Sequence, residues 1–493
     1  MRAVAGLDIG TTACKCTAFD GEGNVLAVCR REYSLLSQNE VDALRLWQAV
    51  QEVLCEIAEK CPEIEGIGVT SFGESFVVTD EDGQPLHPVM LYTDPRGAEE
   101  CARLTALVGK ERITAITGLA PHEMYSLPKL MWLKERKPRL WQQVRHIFLM
   151  EDYIVYRLTG KAQIDYSLAC RSLAFDLKSL AWSKELLEAA DIDEKLLPRP
   201  VPSGTVAGTL LSGICPLGEN TKIVNVSHDQ LAAAVGAGAF REGTAVDGAG
   251  TVQCLTPIFT KLPDAEALAD NAYCIVPYVI LGQYVSYAFS YTGGALLQWF
   301  TENFCKEEAR LAGAQGVNAY LESLCPREPT GLLVLPHFAG AATPYMDTGS
   351  RGAILGLSTA TSLPQLYRGC MEGVSYEMYL NYRRMKACGI DFDRLYATGG
   401  GARSPMWMQM KADIFLKPVT ALQTADAGTV GSAMLTGVAV GLFPSLEAAA
   451  EKLVRPIHTY RPNLEQHERY MKHFERYEAV YAAVRPLMEG GAE

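Results

Sequence analysis

A polar bend near the start of the chain breaks an otherwise apolar strand pattern. Apolar residues alternate up to Leu7 and resume the alternation from Cys14, which predicts the two strands of a hairpin. The segment between them holds a carboxylate, a glycine and two hydroxyls, namely Asp8, Gly10, Thr11 and Thr12. A glycine at such a bend lets backbone N–H groups approach an anion with no side chain in the way. The pattern therefore predicts a sheet whose first hairpin presents polar groups at one end.

The same arrangement returns in the second half of the chain. From Gly243 the sequence GTAVDGAGTVQCLTPI again predicts a strand, a bend at Gly250 and Thr251, and a second strand. The two segments share only the glycine–threonine step, so the repeat is one of topology. A chain of 493 residues also suits two domains of roughly 200–250 residues each. We therefore expect an α/β protein with two related domains, 1–242 and 243–493, whose bends face a common cleft.

The composition excludes several classes of partner. A net charge of −12 and a pI of about 5.3 argue against nucleic acid or an anionic membrane surface as the main partner. The apolar start before Asp8 is too short for a signal peptide. The longest apolar stretch, GTVGSAMLTGVAVGLF from Gly428, predicts a buried helix and not a membrane span. The 14 cysteines lack paired CxxC spacing, so we expect reduced thiols in a cytoplasmic protein.

The two bends differ in charge. Asp8 is poorly suited to grip a phosphate directly, because like charges repel, but a carboxylate holds Mg²⁺ through water and the metal then bridges to phosphate. Lys15 adds a positive charge on the outgoing strand, whereas the second bend has the same donors without the carboxylate. Phosphate binding is one interpretation of the two bends together. A polar turn with a self-bonded aspartate is the other interpretation of the first.

Two more glycine-rich steps open predicted helices. The segment TGGGARSPMW (398–407) follows the predicted strand RLYA, so its free N–H groups and bare backbone suit a flat base or a phosphate. It is not a GxGxxG fingerprint, and no acidic residue follows at the expected distance, which disfavours an NAD-linked enzyme. A further step, YTGGALLQWF, starts at Tyr291.

Asp229 lies at a predicted junction between strand and helix. In NVSHDQLAAAV the strand is expected to end at Val226 and the helix to begin near Gln230. Aspartate is a favoured helix N-cap, which is one interpretation of this residue. The other is a general base, since a carboxylate at the carboxyl end of a strand can accept a proton from a hydroxyl nucleophile. The neighbouring His228 is expected to orient this group or merely to pack.

In this order the segments resemble the FGGY family of carbohydrate kinases, and the likeness extends over nearly the whole chain. It rests on LDIGTT, YTDPR, TG…KLMWL, DYIVYRLTG, IDYSLACRSLAFDL, SHDQ, GAGT, GGALLQW, RGAILGL…MEGVSYE and ATGGGARSPMWMQMKADIF. The resemblance implies an α/β fold of two ribonuclease H-like (actin-like ATPase) domains with a central cleft. It also implies that the protein transfers a phosphoryl group from ATP, with Mg²⁺, to a sugar hydroxyl.

The resemblance assigns roles to individual positions. It makes Asp229 the catalytic base, and it associates Asp8 and Asp229 with the metal. The phosphate-loop positions are Gly10, Thr11, Thr12, Lys15, Gly250 and Thr251. The positions on the adenosine side are Gly294, Gln298, Gly400, Gly401 and Ser404. The sugar-contacting positions are Gly73, Glu74, Tyr92, Asp94, Asp229 and Gln230.

Departures from the family pattern leave the sugar open. Gly73 stands where glycerol kinases have arginine, which argues against glycerol. Glu74 replaces the histidine of xylulokinases, and Tyr92 replaces a common tryptophan. A glycine beside a glutamate leaves room for a sugar larger than a triol, and the carboxylate can accept two hydroxyl hydrogens. A pentulose is our first expectation, with another ketose, a deoxy-sugar or a polyol as alternatives.

The rival class is a non-catalytic, actin-like nucleotide-binding protein that assembles or regulates. The polar set Glu74, Tyr92, Asp94 and Asp229 argues against it, because a filament subunit needs no sugar pocket. The resemblance also implies a homodimer, by family analogy alone. A final helix near 467–487 is expected to pack back on the first domain.

Overall fold

The computed structural model describes residues 2–263, 267–268, 270–423 and 426–488. The chain forms two compact units, and neither is continuous in sequence. Unit 1 contains residues 2–240, Cys274–Val285 and Asp426–Val454. Unit 2 contains the described residues of 241–273, 286–425 and 455–493.

Elements are numbered in chain order. The strands of unit 1 are β1 (Ala3–Ile9), β2 (Ala13–Asp20), β3 (Val25–Glu32), β4 (Glu40–Val41), β5 (Ile64–Ser71), β6 (Phe76–Thr79), β7 (Val89–Met90), β8 (His146–Leu149), β9 (Gln163–Asp165), β10 (Phe175–Asp176), β11 (Ala181–Trp182), β12 (Arg199–Val201), β13 (Thr205–Thr209), β14 (Lys222–His228), β17 (Val276–Pro277) and β18 (Tyr284–Val285). Its helices are α1 (Ala43–Lys60), α2 (Ala98–Val108), α3 (Lys110–Thr117), α4 (Ser126–Arg136), α5 (Pro138–Trp141), α6 (Met150–Thr159), α7 (Tyr166–Cys170), α8 (Lys184–Ala189), α9 (Asp229–Gly236), α15 (Ala427–Ala439) and α16 (Leu446–Leu453), with a 3-10 helix at Glu194–Leu196.

The described residues of unit 2 form fewer helices, and these include the longest one in the described chain. Its strands are β15 (Thr244–Ala249), β16 (Gln253–Phe259), β19 (Ala288–Ser290), β20 (Leu333–Leu335), β21 (Ala353–Leu355), β22 (Arg394–Thr398), β23 (Val419–Leu422) and β24 (Pro456–Tyr460). Its helices are α10 (Gly294–Phe304), α11 (Lys306–Ala312), α12 (Val317–Leu324), α13 (Leu363–Ala387), α14 (Pro405–Phe415), α17 (Leu464–Tyr477) and α18 (Val480–Val484), with 3-10 helices at Gly313–Gln315, Gly400–Arg403 and Arg485–Met488.

The central sheets of the two units have the same topology. In unit 1 the strand order is β13-β14-β5-β1-β2-β3, and β5 runs parallel to both β1 and β14. In unit 2 the corresponding order is β24-β23-β22-β15-β16-β19, and β22 runs parallel to both β15 and β23. The remaining neighbours in each sheet are antiparallel. The predicted repeat of a strand hairpin at the start of each half is confirmed.

Helix α1 shows why the core of unit 1 forms where it does. Leu46, Val50, Val53 and Ile57 recur at helical spacing, and all four are fully buried. Asp42 caps the helix by accepting a hydrogen bond from the Leu44 N–H. Burial of each such side chain contributes roughly 1.5–3 kcal/mol. The spacing by itself predicts a helix over roughly 41–60, and the structure confirms it at Ala43–Lys60.

Helix α15 belongs to unit 1 although it follows residue 243 in sequence. Its small residues let it pack closely against β1 and α9. A β-carbon at Gly431 would come within 1.8 Å of the Ala232 carbonyl oxygen, and one at Gly6 within 2.0 Å of the Thr429 carbonyl oxygen. The apolar stretch from Gly428 is thus a buried helix, as predicted. In the described part of the chain no helix is both long and apolar enough to cross a membrane.

The expectation that the final helix packs on the first domain is wrong, since α17 belongs to unit 2. Tyr470, Phe474 and Tyr477 are buried on its inner face against Tyr376. The Tyr470 hydroxyl also accepts a hydrogen bond of 2.6 Å from Arg368. The division into domains 1–242 and 243–493 stays a prediction, but the compact units regroup Cys274–Val285 and Asp426–Val454 with the first half.

Candidate active site

The first bend joins β1 to β2 at Gly10, Thr11 and Thr12. The Gly10 N–H donates 2.9 Å to the Ala13 carbonyl and closes the turn. Tyr33, directly after β3, holds the bend, because its hydroxyl donates to the Gly10 carbonyl and its N–H donates 2.9 Å to the Thr12 carbonyl. Thr12 is exposed, so the tip of the bend is open to a ligand.

Asp8 lies beside the start of α15. A β-carbon at Gly428 would come within 2.5 Å of its Oδ2, so the glycine lets the carboxylate reach the helix N-terminus. Lys15 pairs with Asp8 in the strand register, but its ammonium forms an ion pair with Asp426. Burial, followed by the charge of Asp426, raises the pKa of Asp8 to about 6, although Lys15 acts to lower it.

The junction between β14 and α9 is held by side chains behind it. The register of β14 against β5 shifts between Asn225 and Ser227, so Val226 is bulged out of the pairing. Its N–H donates 2.7 Å to Oε1 of the buried Glu151, and the His228 N–H donates 2.8 Å to the Ser167 hydroxyl. These contacts fix the backbone directly before Asp229.

Asp229 is the first residue of α9 and not its cap, since His228 occupies the N-cap position. The N-cap interpretation is therefore wrong. Oδ1 lies 3.2 Å from His228 Nε2, yet this buried oxygen accepts no hydrogen bond of proper geometry within the described chain. Burial, then the charges of Asp8 and Glu74, raises the pKa of Asp229 well above its usual value. Such a carboxylate is a strong proton acceptor once ionised.

Glu74 and Arg171 form a buried ion pair in which both guanidinium nitrogens Nε and Nη2 approach Oε1. Glu74 is only 5% exposed and has φ +61°, a conformation that is rare outside glycine and often marks functional positions. The Arg171 guanidinium also lies 5.1 Å from the ring centre of Tyr125. Beside this pair, a β-carbon at Gly73 would stand 3.1 Å from the His228 ring. The space at Gly73 thus accommodates an imidazole.

The remaining sugar-contacting candidates of unit 1 differ in exposure. Tyr92 is 44% exposed, and burial, with the charges of Glu74 and Asp229, raises the pKa of its phenol. Gln230 is exposed as well. Asp94 is buried and accepts hydrogen bonds from the backbone and guanidinium of Arg96. Burial acts to raise the pKa of Asp94, but the Arg96 hydrogen bonds outweigh it and the pKa lies below its usual value.

Unit 2 contains a cavity of about 940 Å³, which is large enough for a nucleotide. Every position of unit 2 that the resemblance assigned to ATP lines this one cavity: Gly250, Thr251, Gly294, Gln298, Gly400, Gly401 and Ser404. Residues that are far apart in sequence, from 250 to 404, are thereby brought together.

The second bend, at Gly250 and Thr251, forms part of the wall of this cavity. The N–H groups of Gly293 and Gly294 donate 2.9 and 2.8 Å to the carbonyls of Thr251 and Gly250. On the other side, a β-carbon at Gly401 would come within 2.9 Å of Ala249 Cβ, whereas one at Gly400 would meet no protein atom. Gly294 and Gly401 therefore serve packing against the bend. Gly400 leaves bare backbone beside the cavity.

Ser404 caps α14, because its hydroxyl accepts a hydrogen bond of 3.0 Å from the Trp407 N–H. Trp407 lines the cavity and is held by a hydrogen bond from its indole N–H to the Ser375 hydroxyl. A local N-cap pattern thus explains why the sequence turns from three glycines into a helix here.

Sequence reasoning missed several residues of these sites. Arg171 and Tyr125 flank Glu74. Lys129 is fully buried, and its ammonium donates hydrogen bonds to the carbonyls of Glu123 and Met124. Burial lowers the pKa of Lys129 to about 8. A signal for Arg171 was its place inside the family motif IDYSLACRSLAFDL, where it is the one basic residue.

The donor set in unit 1 fits a magnesium ion held mainly by water and phosphate. Among the described residues no group of three or more His, Cys, Asp or Glu side chains could hold a metal by itself. The charge of Asp8 raises the pKa of Asp229, and the buried Oδ1 of Asp229 accepts no hydrogen bond from the described residues. Mg²⁺ commonly takes one or two carboxylates and completes its shell with waters and substrate oxygens.

Comparison with known proteins agrees with this geometry. Residues 3–236 match the N-terminal domain model of the FGGY family of carbohydrate kinases, and residues 249–440 match its C-terminal domain model. A xylulose kinase of Staphylococcus epidermidis is 27% identical over 98% of this chain and 97% of its own length. A glycerol kinase of Halorhodospira halophila is 29% identical over 95% and 94%. The crystal structure of xylulose kinase from Rhodospirillum rubrum has a TM-score of 0.89 at 25% identity, with 99% and 100% of the two chains covered.

Proposed function

This chain belongs to the FGGY family of carbohydrate kinases, and from that premise we propose that it phosphorylates a hydroxyl of a pentulose with Asp229 as the general base. It is an ATP-dependent sugar kinase. The rival interpretation, a non-catalytic assembly protein, is not favoured, because the relatives matched over the full chain are kinases.

The observation that carries the proposed mechanism is the buried carboxylate oxygen Oδ1 of Asp229, which accepts no hydrogen bond from the described part of the chain. In this mechanism Asp229 takes the proton of the attacking hydroxyl. The hydroxyl oxygen bonds the γ-phosphorus, the bond to the β-phosphate oxygen breaks, and ADP leaves. Because the pKa of Asp229 is raised, this carboxylate is a better match for a weakly acidic alcohol than an ordinary aspartate would be.

In the proposal each unit has one bend that suits phosphate. Thr11 and Thr12 offer donors in unit 1, and Thr251 offers them in the cavity of unit 2. The N–H groups of Gly10 and Gly250 close their own turns, so these glycines act by leaving the backbone free of side chains. Asp8 and Asp229 would hold Mg²⁺, which neutralises charge on the transferring phosphoryl group when it is bound. The adenosine would lie against Gln298, Gly400, Gly401 and Ser404.

The charges around Glu74 support a neutral sugar. The opposite charges of Glu74 and Arg171 cancel, and the Lys129 ammonium donates hydrogen bonds to backbone carbonyls. Asp8 and Asp229 add negative charge when they are ionised, and in that state they would repel the carboxylate of a sugar acid. The names of the relatives, xylulose kinase and glycerol kinase, support a pentulose or a triol. Gly73, without the arginine of glycerol kinases, supports the pentulose.

A coupled assay of ADP release with a panel of sugars tests this proposal. We expect ADP formation that depends on a pentulose, with weaker activity on other ketoses, deoxy-sugars and polyols. The Asp229→Asn variant should abolish most of that dependence. A faster rate with glycerol or with an aldonate than with every pentulose would overturn the substrate proposal, and the site of phosphorylation follows from NMR of the product.

Two further features stay predictions. We place the reaction in the cytoplasm, where ATP is available. A homodimer is expected by family analogy, and light scattering of the purified chain measures it.

A further inference from the structure

A buried ion pair lies directly behind the second bend. Lys411 Nζ is 2.5 Å from Asp247 Oδ2, and the two side chains are only 1% and 6% exposed. The Gln253 side-chain amide donates to the other oxygen, Oδ1. The three residues come from α14, β15 and β16, so the group joins both strands of the hairpin to the helix that follows the glycine step.

This group lies next to residues that line the cavity of unit 2, but none of its three members lines the cavity itself. Asp247 and Gln253 flank the bend in sequence and lie on one face of the hairpin, because Ala249 pairs with Gln253 and Asp247 is two residues before it. The bend between them, with Gly250 and Thr251, lines the cavity. The Lys411 ammonium also lies 4.6 Å from the ring centre of Trp407, another lining residue.

We propose that Lys411 is a positioning residue for nucleotide phosphates, which acts by cancelling the charge of Asp247 behind the bend. Asp247 braces the hairpin, but its carboxylate would repel a polyphosphate held on the N–H groups of the same bend. Charges so deeply buried are weakly screened, so the neutralisation has to come from within the protein. This inference rests on the proposed binding of ATP in unit 2.

A purely structural pair behaves differently from a charge-cancelling one. Removal of either partner leaves one buried, unpaired charge and lowers stability in both cases. The effect on nucleotide affinity, however, depends on the sign of the charge that remains. Lys411→Met leaves a carboxylate and should weaken binding, whereas Asp247→Asn leaves an ammonium and should not.

Calorimetric titration of the full-length protein, well below each variant's melting temperature, tests this asymmetry. The probes are adenosine, ADP and a non-hydrolysable ATP analogue. For Lys411→Met we expect roughly tenfold weaker binding of the ATP analogue, a smaller loss for ADP and none for adenosine. Asp247→Asn should bind the analogue as well as or better than the wild type. Lys306→Met, which removes an exposed lysine of unit 2, is the matched control.

The outcomes separate the two levels of the proposal. Equal losses in Lys411→Met and Asp247→Asn, or a loss for adenosine as large as for the ATP analogue, would overturn the charge-cancelling role. If Lys411→Met does not fold, a tenfold loss in Asp247→Asn alone overturns it, and the double variant Asp247→Asn with Lys411→Met should bind near the wild-type level. A wild-type protein that binds none of the three probes overturns the proposed function itself.

Discussion

The first hairpins of the two units share a fold and differ in charge. In both, a strand enters a glycine–threonine bend and returns antiparallel, and the next strand of the sheet runs parallel to the first. Counted back from the glycine of the bend, Asp8 of unit 1 corresponds to Gly248 of unit 2. The carboxylate of unit 2 is one position earlier, at Asp247, and strand alternation turns it to the other face.

The carboxylates of the two bends, one residue apart in register, also differ in their partners. Lys15, opposite Asp8, gives its ammonium to Asp426, and the pKa of Asp8 is raised. Asp247 is instead matched by a buried lysine. A carboxylate without its own cation suits a metal and a proton acceptor, whereas a neutralised bend suits a polyphosphate. We therefore expect changes in unit 1 to affect turnover and changes in unit 2 to affect the KM for ATP.

The largest expected effect is that of Asp229→Asn. Loss of the general base should lower kcat by roughly 10²–10⁴ and leave sugar binding largely intact. Steady-state assays of ADP release measure kcat, and calorimetry measures sugar affinity. Asp82→Asn, at an exposed turn of the same unit, is the matched control. Near-wild-type turnover in Asp229→Asn would remove the assigned role.

Asp8→Asn should have the next largest effect. Loss of the carboxylate beside the start of α15 should lower kcat by roughly 10–100-fold and raise the Mg²⁺ concentration needed for half-maximal rate. A magnesium titration at saturating ATP and sugar measures both. The metal-associated role of Asp8 does not survive a variant whose magnesium dependence is unchanged.

Gly400→Val tests the cavity of unit 2. A β-carbon at residue 400 would meet no protein atom within 4 Å, so the melting temperature should change little while the KM for ATP rises roughly tenfold and that for the sugar does not. Gly218→Val, at an exposed glycine of unit 1 with equally open surroundings, is the control. A KM for ATP that matches the wild type would mean that the nucleotide binds elsewhere.

The smallest expected effect is a displacement of the pH profile. Asp229 must be ionised to accept a proton, so kcat/KM should rise as pH rises through its pKa, which burial, Asp8 and Glu74 raise. Glu74→Gln removes a negative charge and leaves Arg171 positive, and both changes lower the pKa of Asp229. The acidic limb should therefore move to lower pH in this variant. A limb that moves to higher pH contradicts the proposed environment of Asp229.

Local patterns were sufficient for much of the fold. Period-two alternation predicted β1, β2, β15 and β16, and helical spacing predicted α1, because each signal depends on residues close in sequence. The ordered motifs also pointed to seven positions of unit 2 that line one cavity. The placement of α17 was wrong, since nothing local says which core an amphipathic helix covers.

The sequence by itself determined the repeated hairpins and the family, and it pointed to Asp229 as the candidate general base. Only the tertiary structure decided which partner each charge has: Arg171 for Glu74, Asp426 for Lys15, Lys411 for Asp247. The physical reason is that backbone conformation is set by near neighbours, whereas burial and ion pairing join residues far apart in sequence, which are 164 positions apart for Lys411 and Asp247. Whether a carboxylate is reactive or merely structural is therefore settled by packing.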